Sequence, residues 1–310
     1  MTNLLDLITP TNLDSERDRF LSNPSYNPTF RYIWQDQNIQ PEFSIRLKYP
    51  LWESIKVQDH KGITAAASAL FEVTIDNSVL SRAKELSIVK GKVSSGSADE
   101  YVALMQAGLS HFGLEDIEIL LTDESGFNSR PNHQGKTLIV SKHIHFEYFS
   151  VEGGVRHELV HILRYRNGKF NSIKRSPRFL PTEEGLASWC QDNTNDDNGA
   201  AQHAMEYVAS SVGIVGSLRD IYNCLIDLGM SSDLAWKRAC RHKFGFVDTS
   251  RPGDILKPAM YFANEEIVSK LTTDEKLRLL VGKIAVSELS AHPTYTGLWP
   301  AKQLVEYFKL

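Results

Sequence analysis

The chain has 310 residues, 42% hydrophobic and 23% charged, with a formal net charge of −4. That is enough chain to bury a large core in one or two domains, and the slightly acidic balance gives no argument for general nucleic-acid binding. No apolar run approaches ~18 residues, so no membrane span is expected; Cys190, Cys224 and Cys240 are too few and too far apart for a disulfide framework or a thiolate metal site.

Residues 1–22 read as a leading helix with an acidic face. Asp6, Asp14, Glu16 and Asp18 without a basic start are unlike a secretory signal and, with the reduced-thiol pattern, predict a cytoplasmic protein. Asn23-Pro24 and Asn27-Pro28 mark a turn-rich extended segment. Its aromatics Tyr26, Phe30 and Tyr32 either line a groove or pack a long loop onto the body. Residues 48–90 look helical, alanine-rich over Ile63–Leu70 and amphipathic over Val79–Val89. Lys92–Ser97 is a flexible connection, and Asp99–Phe112 is a further helix stopped by Gly113.

The period then changes. Ile117–Thr122 is a compact apolar run between turn signals and reads as a strand; Asp123–Gly135 is a polar loop; Thr137–Val140 is a second strand. That second strand is either a sheet edge open to an incoming peptide or an ordinary paired strand. Ser150 as N-cap and Glu152 in the first turn open a helix that Asn167-Gly168 ends with a left-handed stop. Lys169–Leu180 is a basic loop, after which Thr182 caps a new helix with Glu183 and Glu184 in its first turn. Asp192–Gly199 is a polar loop. Ala201–Val212, Leu218–Leu228 and Leu234–His242 are three more helices, the second opened by a capping box of Ser217 and Asp220. Arg251–Lys257 is a loop, Glu265–Val281 is mostly helical, and turns over Pro293–Pro300 precede a short terminal helix.

The chemistry-bearing run is Arg156-His157-Glu158-Leu159-Val160-His161, an H-E-x-x-H pattern. Residues four apart on a helix share a face, about 6 Å along the axis, so His157 and His161 can aim imidazole nitrogens at one ion. Glu158 can reach a water beside that ion as a general base. A catalytic zinc takes a third protein ligand, and Glu184 or the adjacent Glu183, about two dozen residues on, supplies a carboxylate; spacing alone does not choose between them. A glycine after the pair, Gly185, lets the second helix approach closely. These elements predict an α+β chain, mostly helical, with a small sheet beside the H-E-x-x-H helix. An N-terminal helical region (1–92) with the extended aromatic segment precedes a catalytic domain (93–310).

His157-Glu158 through Leu163-Arg164, Asn167-Gly168, and Pro181-Thr182-Glu183-Glu184-Gly185-Leu186-Ala187 together resemble the metallopeptidase family named for its QEGLA motif. That family includes the tyrosine carboxypeptidases that remove the C-terminal tyrosine of α-tubulin. Asn27-Pro28-Thr29-Phe30-Arg31-Tyr32 is similar to its N-P-x-F-x-Y segment, and Ala235-Trp236 with Arg241 to the helix before its R-x-x-R-G run. Lys257 and Tyr261 resemble a T-K-D-x-x-Y-like stretch, and Leu279–Ile284 a closing F-x-G-K-I segment, so the similarity spans most of residues 26–300. The resemblance implies a zincin-like catalytic core and favours Glu184 as the third zinc ligand. Tubulin-processing members carry one more residue between the two histidines. Phe244 replaces the second Arg of R-x-x-R-G and Pro258 the Asp after Lys257, departures that fall at the substrate end.

The expected reaction is peptide hydrolysis. Zinc on His157, His161 and Glu184 lowers the pKa of water toward ~7, and Glu158 takes the proton and passes it to the leaving amine. Tyr261 and His242 are candidate oxyanion donors. The partner is the C-terminus of a peptide or protein, whose carboxylate Arg241 would hold bidentately and Lys257 as a point charge. An aminopeptidase would instead show an acidic pair near the zinc, and an endopeptidase an open groove without a cationic stop. A regulatory module retaining zinc would have no use for the intact Glu158.

Overall fold

A computed structural model describes residues 4–37, 39, 43, 46–87, 96–124, 128–131, 136–144, 150–193 and 199–310. In chain order the first helices are α1 (Leu4–Ile8), α2 (Leu13–Ser22), α3 (Ile33–Asp36), α4 (Lys48–Lys56), α5 (His60–Phe71), α6 (Asn77–Ser87) and α7 (Ala98–His111). Strands β1 (Glu118–Thr122), β2 (Ser129–Pro131) and β3 (Thr137–Ser141) follow, then α8 (Val151–Phe170) and α9 (Phe179–Asp192). The remainder is α10 (Gly199–Gly213), α11 (Leu218–Asp227), α12 (Ser232–His242), α13 (Lys257–Ser269), α14 (Thr273–Leu279), a 3-10 turn over Val286–Ala291, and α15 (Ala301–Phe308). The chain is thus α+β in composition, mostly helical with a small sheet. Among the described residues no helix is long and apolar enough to cross a membrane. The connection expected over Lys92–Ser97 lies largely outside the described residues.

The residues group into two units. One comprises Met1–Ile88 with His203–Ala263, the other Val89–Gln202 with Asn264–Leu310. Residues 203–263 thus group with the N-terminal residues. The extended segment explains why. Phe30 and Tyr32 are fully buried, the Phe30 amide donates to the Val247 carbonyl (2.9 Å), and the Tyr32 hydroxyl donates to that of Phe246 (2.9 Å). The Arg219 guanidinium gathers the Phe20, Asn23 and Tyr26 carbonyls. Phe30 and Tyr32 therefore pack a loop and line no groove. Lys243, fully buried, donates to the carbonyls of Gly216 (2.9 Å), Arg251 (3.0 Å), Gly213 (3.3 Å) and Gly253, tying two turns together.

In the second unit β3 is the central strand, parallel to β1 and antiparallel to β2. Both its edges are paired, so Thr137–Val140 is an ordinary ladder strand and not an open edge. Its alternate residues Leu138 and Val140 are fully buried in a core shared with Met105 and Leu109 of α7 and Val155, Leu159 and Leu163 of α8. β2 falls inside the stretch read as a polar loop, where a three-residue strand ending in Pro131 gives no period to detect.

The Ser150 hydroxyl accepts from the Gly153 amide (2.9 Å) and caps α8 as expected. The helix does not stop at Gly168. It runs on to Phe170, and Gly168 lies against Gly282, where a Cβ on Gly282 would come 3.1 Å from the Gly168 Cα. α9 begins at Phe179, earlier than expected, so Thr182 is interior and its hydroxyl accepts from the Val286 amide (2.9 Å). Two glycines set the position of this helix. A Cβ on Gly153 of α8 would meet the Gln191 carbonyl oxygen at 2.8 Å, and one on Gly185 would meet the Asn264 backbone at 2.7 Å. α9 therefore lies tight against α8 on one side and α13 on the other, which brings its glutamates to the histidines.

Candidate metal centre

Helical spacing places His157 and His161 on one face of α8, with ring centroids 4.9 Å apart. From α9, Glu184 Oε2 lies 3.5 Å from His157 Nε2 and 3.7 Å from His161 Nε2, and one donor atom from each of the three falls within 4.8 Å of the others. Ligands at ~2.1 Å from a tetrahedral ion are about 3.4 Å apart, so these spacings fit a divalent cation of zinc's size. Two imidazoles and one carboxylate leave a fourth position for water or substrate.

The two glutamates do different jobs because consecutive helical residues point about 100° apart. Glu183 turns away from the donor cluster to the back of His161, where its Oε1 lies 2.9 Å from Nδ1. A carboxylate there requires the proton on Nδ1 and leaves the Nε2 lone pair for a metal. The Lys283 ammonium donates to the same oxygen at 2.6 Å, and the Arg164 guanidinium lies 3.5 Å from the other. Arg164 is itself fully buried and donates to the carbonyls of Leu279 (3.0 Å), Gly282 (3.0 Å) and Ile284 (2.6 Å).

Burial alone would raise the Glu183 pKa, but Lys283, His161 and Arg164 outweigh it and hold the carboxyl at about 2. Burial alone would lower the His161 pKa; Glu184, Glu183 and Glu158 reverse that and raise it to about 9. The pocket is an electronegative one, suited to a cation.

Glu158, also buried, accepts from the Ser129 hydroxyl of β2 at Oε1 (2.8 Å), and the Tyr101 hydroxyl of α7 lies 2.9 Å from that of Ser129. Its Oε2 has no hydrogen-bond partner among the described residues. One carboxylate oxygen is thus anchored and the other is not.

The residues read as substrate-binding lie in the other unit. Arg241, in the last turn of α12, has Nη1 4.0 Å from Oε1 of the buried Glu206, which also takes Arg238 at 2.9 Å. Tyr261 of α13 stacks on His203 (5.4 Å between centroids, 11° between planes), and Lys257 is the first residue of that helix. His242 is not an open oxyanion donor. It is fully buried, with Nδ1 2.8 Å from the equally buried Asp254 and 3.1 Å from the Ser210 hydroxyl. Serine and aspartate meet the same ring nitrogen, so this is a packed polar cluster and not a nucleophile relay.

Sequence reasoning missed Ser129, Tyr101 and the partners of Glu183. Arg164 carried a readable signal, standing three residues after His161 on the histidine face of α8. Lys283 and Ser129 reach the site only through the fold.

In chemical terms His157, His161 and Glu184 could hold a divalent metal ion, with the Glu158 carboxylate next to His157 on the same helix. No protein-family model matches the chain. It is similar to Microtubule-associated tyrosine carboxypeptidase 1 of Rattus norvegicus, with 26% identity over 305 residues covering 92% of this chain and 61% of the relative. Against the Homo sapiens protein of the same name the identity is 27% over 307 residues, covering 92% of this chain and 60% of the relative. The chain spans about three fifths of the length of the curated relatives it matches.

Proposed function

We propose that the chain is a zinc metallopeptidase with a zincin-like core, acting as a carboxypeptidase that removes a C-terminal residue, tyrosine foremost, from a peptide or protein. The observation that carries the reading is the convergence of His157 Nε2 and His161 Nε2 on Glu184 Oε2, at 3.5 and 3.7 Å, with Glu158 next to His157 on the same helix. The direction of cleavage rests on the tyrosine carboxypeptidase names of the relatives. Its free thiols are in keeping with a cytoplasmic protein.

His157, His161 and Glu184 would hold the zinc, which would supply Lewis acidity to water and to the scissile carbonyl. Glu158 receives the proton of the attacking water on Oε2 as the new C–O bond forms. It then delivers that proton to the amide nitrogen as the C–N bond breaks, releasing the terminal amino acid. Glu183 cannot share this work, because Lys283 and Arg164 hold it ionised; it keeps His161 in the tautomer that presents Nε2. By the family resemblance, Arg241 and Lys257 remain the candidate cations for the terminal carboxylate of the substrate.

The test compares peptides ending in a free carboxylate with the same peptides amidated. Wild type should trim the free peptides and cut the amidated ones poorly. Arg241→Ala or Lys257→Ala should lower kcat/KM on the free peptides alone, by ~2–5 kcal/mol in recognition. Equal internal cleavage of both kinds of peptide would replace the carboxypeptidase with an endopeptidase.

A further inference from the structure

We propose that Ser129 is a positioning residue for Glu158, fixing which carboxylate oxygen the reaction uses. The catalytic half of this assignment rests on the peptidase reading above; the contact half rests on geometry alone.

A glutamate next to a metal site has two ways to fail as a base. It can turn onto the cation and become a ligand, or it can pair with a basic side chain and lose its affinity for a proton. Glu183 has such basic partners within the same unit, Lys283 at 2.6 Å and Arg164 at 3.5 Å. Glu158 has a neutral partner instead. The Ser129 hydroxyl at 2.8 Å fixes Oε1 without adding positive charge, and Oε2 is left buried with no partner among the described residues.

The donor order follows from proton counting. A serine hydroxyl has one proton, and a carboxylate can only accept, so Ser129 gives its proton to Glu158. Tyr101, 2.9 Å away, must then donate to Ser129. Tyr101 is fully buried on α7, and burial with the nearby Glu158 charge raises its pKa well above the ordinary value, so it keeps its proton and stays a donor. The chain Tyr101 to Ser129 to Glu158 ends on one defined oxygen.

The anchor is independent of the helix it serves. Ser129 stands opposite Val140 in the β2–β3 ladder, and the Ser141 amide donates to the Asn128 carbonyl at 2.9 Å. The sheet therefore sets the hydroxyl while α8 sets the carboxylate backbone, and their hydrogen bond selects one rotamer of Glu158.

Two readouts test this. On zinc-loaded protein Ser129→Ala should lower kcat about 10- to 100-fold, with KM and zinc content unchanged. Ser129→Thr, which keeps the hydroxyl, should restore most of that loss, and Tyr101→Phe should give a smaller reduction. On metal-free protein, a thermal-unfolding cycle of Ser129→Ala and Glu158→Ala should show coupling, the double variant shifting Tm by less than the sum of the single shifts. Wild-type kcat in Ser129→Ala, a threonine variant no better than alanine, or additive shifts in the cycle would each overturn the proposal. If wild type cleaves no peptide, the peptidase reading fails, and the metal-free cycle still decides whether Ser129 holds Glu158.

Discussion

Replacing Glu183 by glutamine keeps the size of the side chain and removes only its charge. In the folded chain that charge is nearly out of contact with solvent and faces His161 at 2.9 Å, Lys283 at 2.6 Å and Arg164 at 3.5 Å. Losing one partner of a buried ion pair costs about 3–5 kcal/mol, because the other charges stay buried without it. The carboxyl itself gives a second estimate. Holding it at about 2 instead of 4.5 corresponds to about 3 kcal/mol favouring the ionised, folded form. The two agree on a loss near 3 kcal/mol. Metal binding should suffer separately. A glutamine amide can donate to His161 Nδ1, which moves the ring proton to Nε2 and blocks the nitrogen a metal needs; loss of such an orienting carboxylate costs about 10- to 100-fold in affinity. Urea unfolding of the metal-free protein reads the first effect and chelator competition for zinc reads the second. A Glu183→Gln protein with wild-type stability and wild-type zinc affinity would refute the division of labour between the two glutamates.

Gly185→Ala places a Cβ 2.7 Å from the Asn264 backbone, next to Glu184; overpacking should cost ~1–3 kcal/mol and weaken zinc binding, and an unchanged Tm would contradict the close packing of α9 on α13. Lys243→Met leaves a set of buried carbonyls without a donor and should lower stability by ~2–4 kcal/mol in urea. Burial lowers the Lys243 pKa from 10.5 to about 8. The unfolded chain therefore holds a proton there that the folded chain gives up, and the wild-type advantage over Lys243→Met should grow as pH rises from about 8 to 10.5; a constant difference across that window would be the wrong result. Glu158→Gln should keep its zinc, by metal analysis, while hydrolysis falls by about 10²- to 10⁴-fold.

The parts of the molecule that follow from local periodicity were readable in the chain. The 3.6-residue repeat put His157 and His161 on one face, Ser150 and the Ser217–Asp220 box opened their helices, and Gly113, at φ +64°, ended α7. Features that depend on a distant partner were not. Gly168 reads as a helix stop until Gly282 lies against it, and Thr182 reads as a cap until Val286 supplies its amide. Thr137–Val140 has the pattern of any half-buried strand, so its central place could not be told from an edge. The packing of 203–263 with the N-terminal region depends on Tyr32 reaching Phe246, a contact between residues more than two hundred apart in sequence. Spacing alone did not separate Glu184 from Glu183, although the family resemblance favoured Glu184; what each carboxylate faces depends on the packing of α9, which its close-packed glycine, Gly185, constrains.

The most direct test of the zinc carboxypeptidase reading is the mass spectrum of a peptide ending in a free tyrosine, taken after incubation with protein as purified, after chelation, and after zinc is returned. The account predicts loss of the single terminal residue in the first and third samples and an intact peptide in the second. An intact peptide in the first and third samples, or terminal loss that chelation leaves untouched, would contradict it.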